Sequence, residues 1–95
     1  MYTMELEQLT HKIENNTATL QDYERYEVLL LQGGLPREYI YSYLRRAGFN
    51  SWEEFLAARK NKARREMISG AIIGGLVGLG LGVLFYDLIG EGGAR

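Results

Sequence analysis

The chain has 95 residues, a formal net charge of −1 and a hydrophobic content of 46%, with no cysteine and a single histidine. These numbers exclude disulfides, thiolate catalysis and cysteine-ligated metal sites, and one histidine makes a histidine-ligated metal centre or a catalytic triad implausible. A chain of this size also rarely encloses a substrate cavity. We therefore expect a protein that is not an enzyme and that has no metal, cofactor or small-molecule substrate.

Two helices are predicted at the start of the chain. Apolar residues recur three and four positions apart over 4–14, which predicts an amphipathic helix. A second helix is expected to begin at Thr19, because its hydroxyl and the carboxylate of Asp22 can form a capping box over the first turn. We expect this helix to stop at Gly33 and Gly34, since glycine commonly closes helices.

The third and fourth predicted helices are also marked by their ends. Pro36 suits the first turn of the third helix, and Gly48 is expected to close it. Ser51 and Glu54 have the spacing of a second capping box, which predicts the start of the fourth helix. Together these elements predict an all-α fold in which three to four short helices form a small bundle.

The fourth helix is predicted to be long and to have an aromatic contact at its start. Phe49, just before the cap, can pack on Phe55 as a hydrophobic staple. Neither proline nor glycine occurs over 52–69, so we expect the helix to continue unbroken into the apolar segment that follows. A bend near Asn61 is the alternative.

Residues 1–58 are predicted to form a helical head domain with a modest core of leucines, tyrosines, a tryptophan and a phenylalanine. Tyr39, Tyr41 and Tyr43 alternate, so one helix cannot bury all three on one side. At least one is therefore expected to be exposed, and tyrosine is enriched in binding surfaces. We take these three tyrosines as candidates for binding a partner protein.

The acidic residues of the head argue against nucleic acid as a partner. Residues 1–54 carry nine acids and five bases, and this excess of negative charge repels a polyanion. Glu24 and Glu27 form a pair of carboxylates, but neighbouring arginines make a solvated helix face the simpler interpretation. We find no catalytic residues.

A basic juxtamembrane segment is predicted over 59–66. Five bases precede the apolar segment, and only Arg95 follows it. Because lysine and arginine are retained on the cytoplasmic side of membrane segments, the head is expected in the cytoplasm or an equivalent inner compartment. The membrane-orienting residues are Arg59, Lys60, Lys62, Arg64 and Arg65.

A transmembrane helix is predicted over 67–89, followed by a short polar tail over 90–95. The run 67–86 contains no charged residue, and 20 residues of helix span roughly 30 Å, the hydrocarbon thickness of a bilayer. The alternative is a buried core helix, which would need a covering shell that the 66 preceding residues can hardly supply. We therefore expect an integral membrane protein that crosses the bilayer once.

Glycines recur at every fourth position of this run. On a helix they form one slowly drifting strip without side chains, along which another helix can approach closely. We call this strip the glycine ladder, and its predicted helix-packing residues are Gly70, Gly74, Gly78 and Gly82. Gly75 and Gly80 are expected to widen the groove on one side. The opposite surface is expected to face lipid with Ile72, Leu76, Leu79 and Val83.

These features predict a single-pass membrane protein that serves as a non-catalytic accessory or structural subunit of a membrane protein complex. Its expected partners are the lipid bilayer and other transmembrane helices, of a second copy or of a different protein. The alternative is a self-oligomerising pore-forming, holin-like or virion membrane protein. A soluble helical adaptor that hides the glycine-rich segment inside a complex is the third possibility.

Overall fold

The computed structural model describes residues 2–61 and 68–93, with side chains over 4–61 and 68–85. Within these ranges the chain is all-helical, as predicted, and contains no strand. The helices are α1 (Tyr2–Glu14), α2 (Leu20–Gln32), α3 (Arg37–Ala47), α4 (Trp52–Lys60) and α5 (Gly70–Gly93). We refer to α1–α4 as the head.

The predicted ends of α2 are confirmed. The Thr19 hydroxyl accepts a hydrogen bond from the Asp22 backbone N–H at 3.2 Å, and the Asp22 carboxylate accepts one from the Thr19 N–H at 2.9 Å. The Thr19 N–H is also the main reason why the pKa of Asp22 is lowered. α2 ends at Gly33, and Gly34 follows with a φ of 101° that suits glycine.

The predicted boundary between α3 and α4 is confirmed with one difference. Gly48 closes α3 in the left-handed conformation, with a φ of 100°. The Ser51 hydroxyl accepts a hydrogen bond from the Glu54 N–H at 3.2 Å, as expected of a cap. The Glu54 carboxylate, however, accepts from the N–H of Asn50 at 3.0 Å, one residue before the predicted partner.

The predicted continuity of the fourth helix is wrong, and the bend near Asn61 is correct. Asn61 caps α4 in an extended conformation, with φ −89° and ψ 115°. The carbonyl of Arg59, in the last turn, accepts a hydrogen bond from the side chain of Asn16 at 3.5 Å. A side chain from another element thus meets a terminal carbonyl that a continuing helix would have bonded itself.

An aromatic cluster holds the centre of the head. Tyr23 stacks on Trp52 with ring centroids 5.3 Å apart and meets Phe55 edge-on at 5.7 Å. Phe49 packs edge-on against Phe55 at 5.3 Å, which confirms the predicted staple. These geometries are the favourable ones for aromatic pairs. The predicted core of leucines and aromatic residues is therefore confirmed.

α5 packs against the head, mainly on α1 and α2. It begins at Gly70, later than predicted, because the Ser69 hydroxyl accepts a hydrogen bond from the Ile72 N–H at 3.3 Å and caps the helix. Among the described residues, no helix is both long and apolar enough to cross a membrane. The transmembrane helix predicted over 67–89 is therefore not supported.

Candidate helix-packing surface

The predicted glycine ladder lies on the outward side of α5. All four ladder glycines are exposed. A Cβ atom added to any of them would meet no atom within 4 Å outside the helix's own backbone. The ladder is therefore a bare strip of helix surface that the head does not cover, formed by Gly70, Gly74, Gly78 and Gly82.

Gly75 and Gly80 do not widen this groove, so the prediction for them is wrong. A Cβ on Gly80 would lie 2.5 Å from the hydroxyl oxygen of Tyr26, and a Cβ on Gly75 would collide with the hydroxyl of Tyr43. Both glycines face the head. Their missing side chains allow a tyrosine from α2 and one from α3 to reach the backbone of α5.

The four bulky side chains of α5 that we predicted to face lipid face the head instead. Leu76 and Val83 are buried in the common core, and Ile72 and Leu79 are partly buried against it. Burial of apolar area is the dominant favourable term in packing. The surface that we predicted to face lipid is therefore the surface by which α5 docks on the head.

A groove of about 430 Å³ runs beside the ladder. It brings together two kinds of predicted binding residue, because Gly78 and Gly82 line it together with Tyr39. Tyr39 is 56% exposed, which confirms that at least one of the alternating tyrosines lies at the surface. The other lining residues are Gly33, Gly34, Leu35, Leu79 and Val83.

Tyr41 is engaged in a hydrogen-bonded cluster inside the head. Its hydroxyl donates to a Glu27 carboxylate oxygen at 2.9 Å, and the indole N–H of Trp52 donates to the same oxygen at 2.7 Å. The guanidinium of Arg37 lies 3.3 Å from the other carboxylate oxygen. The Glu27 carboxylate thus connects helices α2, α3 and α4. The prediction that Glu27 lies on a solvated helix face is wrong.

Tyr43 and Tyr26 contact the backbone of α5 in the same way. The Tyr26 hydroxyl donates to the Leu76 carbonyl at 2.6 Å and accepts from the Gly80 N–H at 2.8 Å. The Tyr43 hydroxyl donates to the Ile72 carbonyl, one helical turn earlier. Sequence reasoning missed these contacts, although two glycines outside the four-residue spacing were a sign that something other than the ladder partner approaches there.

Raising the pH above 10 is expected to weaken this docking. Burial raises the pKa of Tyr26 and of Tyr43 above the ordinary value of 10.0. Stability contributed by the two neutral hydroxyls is therefore complete below pH 10 and is lost as the pH rises through the raised values. Circular dichroism against pH will test this. The Tyr26→Phe, Tyr43→Phe variant should lose less stability between neutral and alkaline pH, and an unchanged loss would contradict the prediction.

The residues of the predicted basic cluster have different environments in the structure. Arg59 is buried, and its guanidinium donates to the Ile13 carbonyl at the end of α1 and to the Tyr23 hydroxyl at 3.2 Å. Lys60 is exposed. The interpretation of Arg59 as a base at a membrane surface is therefore replaced by a structural role in the core. Lys62, Arg64 and Arg65 lie outside the described residues.

Buried polar side chains in the described ranges are engaged within the fold. Over 2–61 and 68–93, no three carboxylates or imidazoles are placed to hold a metal ion. Every buried side-chain nitrogen or oxygen described there has a hydrogen-bond partner.

No family model matches this chain, and no curated protein or solved structure is significantly similar to it. Its function must therefore be inferred from its residues and their geometry.

Proposed function

We propose that this chain is a non-catalytic accessory subunit of a membrane protein complex, with α5 as its anchoring and helix-packing element. The support from the sequence is the uncharged run 67–86, which begins outside the described residues. Its helical part, from Gly70 to Tyr86, spans about 26 Å, most of the roughly 30 Å of a hydrocarbon layer. A second helix of the complex would lie along the ladder.

The observation that carries the proposal is the difference between the two sets of glycines. At Gly75 and Gly80, tyrosines of the head occupy the space where a side chain would stand. At the ladder glycines this space is open. Close approach along such a strip brings backbone atoms of two helices into van der Waals contact, which is a main source of helix association in lipid. The head thus occupies one side of α5 and leaves the ladder side for a partner.

The head contributes a second contact for the same partner. The groove between Tyr39 and the ladder glycines Gly78 and Gly82 opens on the same side of the molecule as the ladder. An exposed tyrosine supplies a large contact area at a small cost in side-chain entropy. While α5 is docked on the head, a helix that lies along the ladder would therefore also pack against Tyr39.

The bases before the apolar run support a cytoplasmic or equivalent inner position for the head. Exposed Lys60, together with Lys62, Arg64 and Arg65 outside the described residues, would face anionic lipid head groups. Each such charge near the surface favours binding by about 1 kcal/mol.

Replacing Gly74 and Gly78 by leucine is expected to release the partner. The two side chains would fill the strip at the point of closest approach, and overpacking costs about 1–3 kcal/mol at each position. We expect the yield of co-purified partner from mild detergent to fall by at least about tenfold. The measurement is quantitative mass spectrometry of tagged wild-type and variant chains.

The matched control adds two leucines to exposed positions of the head, Gln21 and Ala57. This variant also presents two additional leucine side chains at the surface and should retain the partner. Equal retention by the ladder variant would contradict the proposal. If crosslinking instead yields only copies of this chain, the self-oligomerising alternative is correct.

A further inference from the structure

Two tyrosine hydroxyls of the head form hydrogen bonds with backbone groups of α5. In a regular α-helix, the carbonyl of Leu76 and the N–H of Gly80 bond to each other. Here the Tyr26 hydroxyl bonds to both of them, at 2.6 and 2.8 Å. The Tyr43 hydroxyl contacts the same helix one turn earlier, where it donates to the Ile72 carbonyl.

This geometry makes the contacts reversible at no cost to the α5 backbone. When Tyr26 withdraws, the carbonyl and the N–H that it bridged are in position to bond to each other, and when Tyr43 withdraws, the Ile72 carbonyl is in position to accept from the N–H of Leu76. A helix in the interior of a bilayer must satisfy all its backbone groups internally. α5 can therefore leave the head without carrying an unpaired backbone group into an apolar environment.

The side of α5 that these tyrosines hold is strongly apolar. Its side chains are almost completely removed from water by the head, and no residue from Gly70 to Phe85 is charged. Exposure of such a surface to water is unfavourable, so the released helix needs another apolar environment. The covered side chains are Leu76, Val77, Val83 and Leu84.

We propose that Tyr26 and Tyr43 form a releasable clamp that keeps α5 docked on the head. When this clamp opens, α5 transfers into a phospholipid bilayer. This inference rests on the proposed function, since it assumes that α5 is the membrane element. In the structure α5 is docked on the head, and we call this arrangement the closed form. The clamp keeps the covered face of α5 out of lipid until α5 separates from the head.

Removing both hydroxyls tests the clamp without lipid. Loss of a hydrogen bond changes an equilibrium by about fivefold, so Tyr26→Phe with Tyr43→Phe should accelerate deuterium exchange of the α5 amides on the order of 25-fold. Tyr39→Phe is the matched control, because it removes the hydroxyl of an exposed tyrosine. With vesicles of phosphatidylcholine and phosphatidylglycerol, the double variant should bind faster than the wild-type chain.

A disulfide tests the destination of α5. A Cβ built on Gly33 would lie 3.4 Å from the Cβ of Val83, close to the mean of about 3.8 Å in disulfides. Gly33 has a φ of −79°, which any residue adopts, and the chain contains no other cysteine. In the Gly33→Cys, Val83→Cys variant, oxidation should abolish vesicle binding and reduction should restore it.

Failure of the clamp and failure of the proposed function give different results. Vesicle binding that neither the missing hydroxyls nor the disulfide alters would overturn the clamp and leave the proposed function standing. Absence of vesicle binding in every form, including one with accelerated α5 exchange, would overturn the bilayer as destination and the membrane part of the proposed function. If thiol titration shows that no disulfide forms, the closed form itself is contradicted.

Discussion

Replacing Gly80 by alanine is expected to destabilise the chain by about 2–4 kcal/mol. The new Cβ would lie 2.5 Å from the Tyr26 hydroxyl oxygen and 3.0 Å from the methyl carbon of Thr10. Relief of this overlap costs about 1–3 kcal/mol, and displacing the hydroxyl loses two hydrogen bonds of about 1 kcal/mol each. Alanine returns only about 1 kcal/mol through its higher helix propensity.

Gly78→Ala is the matched control for this substitution. It makes the same chemical change two residues away, where a Cβ meets nothing within 4 Å. It should leave stability unchanged or raise it by up to about 1 kcal/mol. Thermal unfolding of the two full-length variants should then give midpoints that differ by on the order of 10 °C. Equal midpoints would show that Gly80 is not a docking position.

Replacing Arg59 by methionine is expected to destabilise the head by about 2 kcal/mol. Methionine keeps much of the packing volume but cannot donate a hydrogen bond. The Ile13 carbonyl and the buried hydroxyl of Tyr23 then lose their shared donor, and a buried group left without a partner costs about 1–3 kcal/mol. Removing a buried charge offsets part of this loss.

Lys60→Met provides the comparison for Arg59, because it removes a neighbouring charge that is exposed. Substitutions at such positions usually change stability by less than about 0.5 kcal/mol. Urea unfolding of both variants is the measurement. Equal effects at the two positions would refute the structural role of Arg59 and return it to the predicted basic segment.

Local sequence patterns predicted the head well for a physical reason. The caps at Thr19, Gly48 and Ser51 depend on groups at most four residues apart, so the residue types themselves determine the contact. The staple between Phe49 and Phe55 is also local, since the two residues are six positions apart. These features fixed the order and the ends of the helices before any tertiary contact was known.

Long-range contacts could not be predicted from the same patterns. Arg59 has the composition of a basic flank, but its partner, the Ile13 carbonyl, lies 46 residues away in the chain. Glu27 resembles an exposed helical acid until α3 and α4 bring Tyr41 and Trp52 to it. Each role arises only when separate helices meet.

The sequence also did not determine which side of α5 packs against the head. Glycine spacing identifies surfaces where something can approach closely, but it does not say what approaches. The four-residue repeat drew attention to one side, whereas the side chains of Tyr26 and Tyr43 enter the gaps at Gly80 and Gly75 on another. A sequence reading that paired isolated glycines with tyrosines of the head would have found this docking side.

The ladder also winds around α5. Each step of four residues advances by about 40° beyond a full turn, so the direction of Gly82 departs from that of Gly70 by roughly 120°. A straight neighbour that follows Gly70 and Gly74 consequently drifts off the strip before it reaches Gly82. The two ends of the strip therefore point in different directions, and a single straight helix can contact only part of its length.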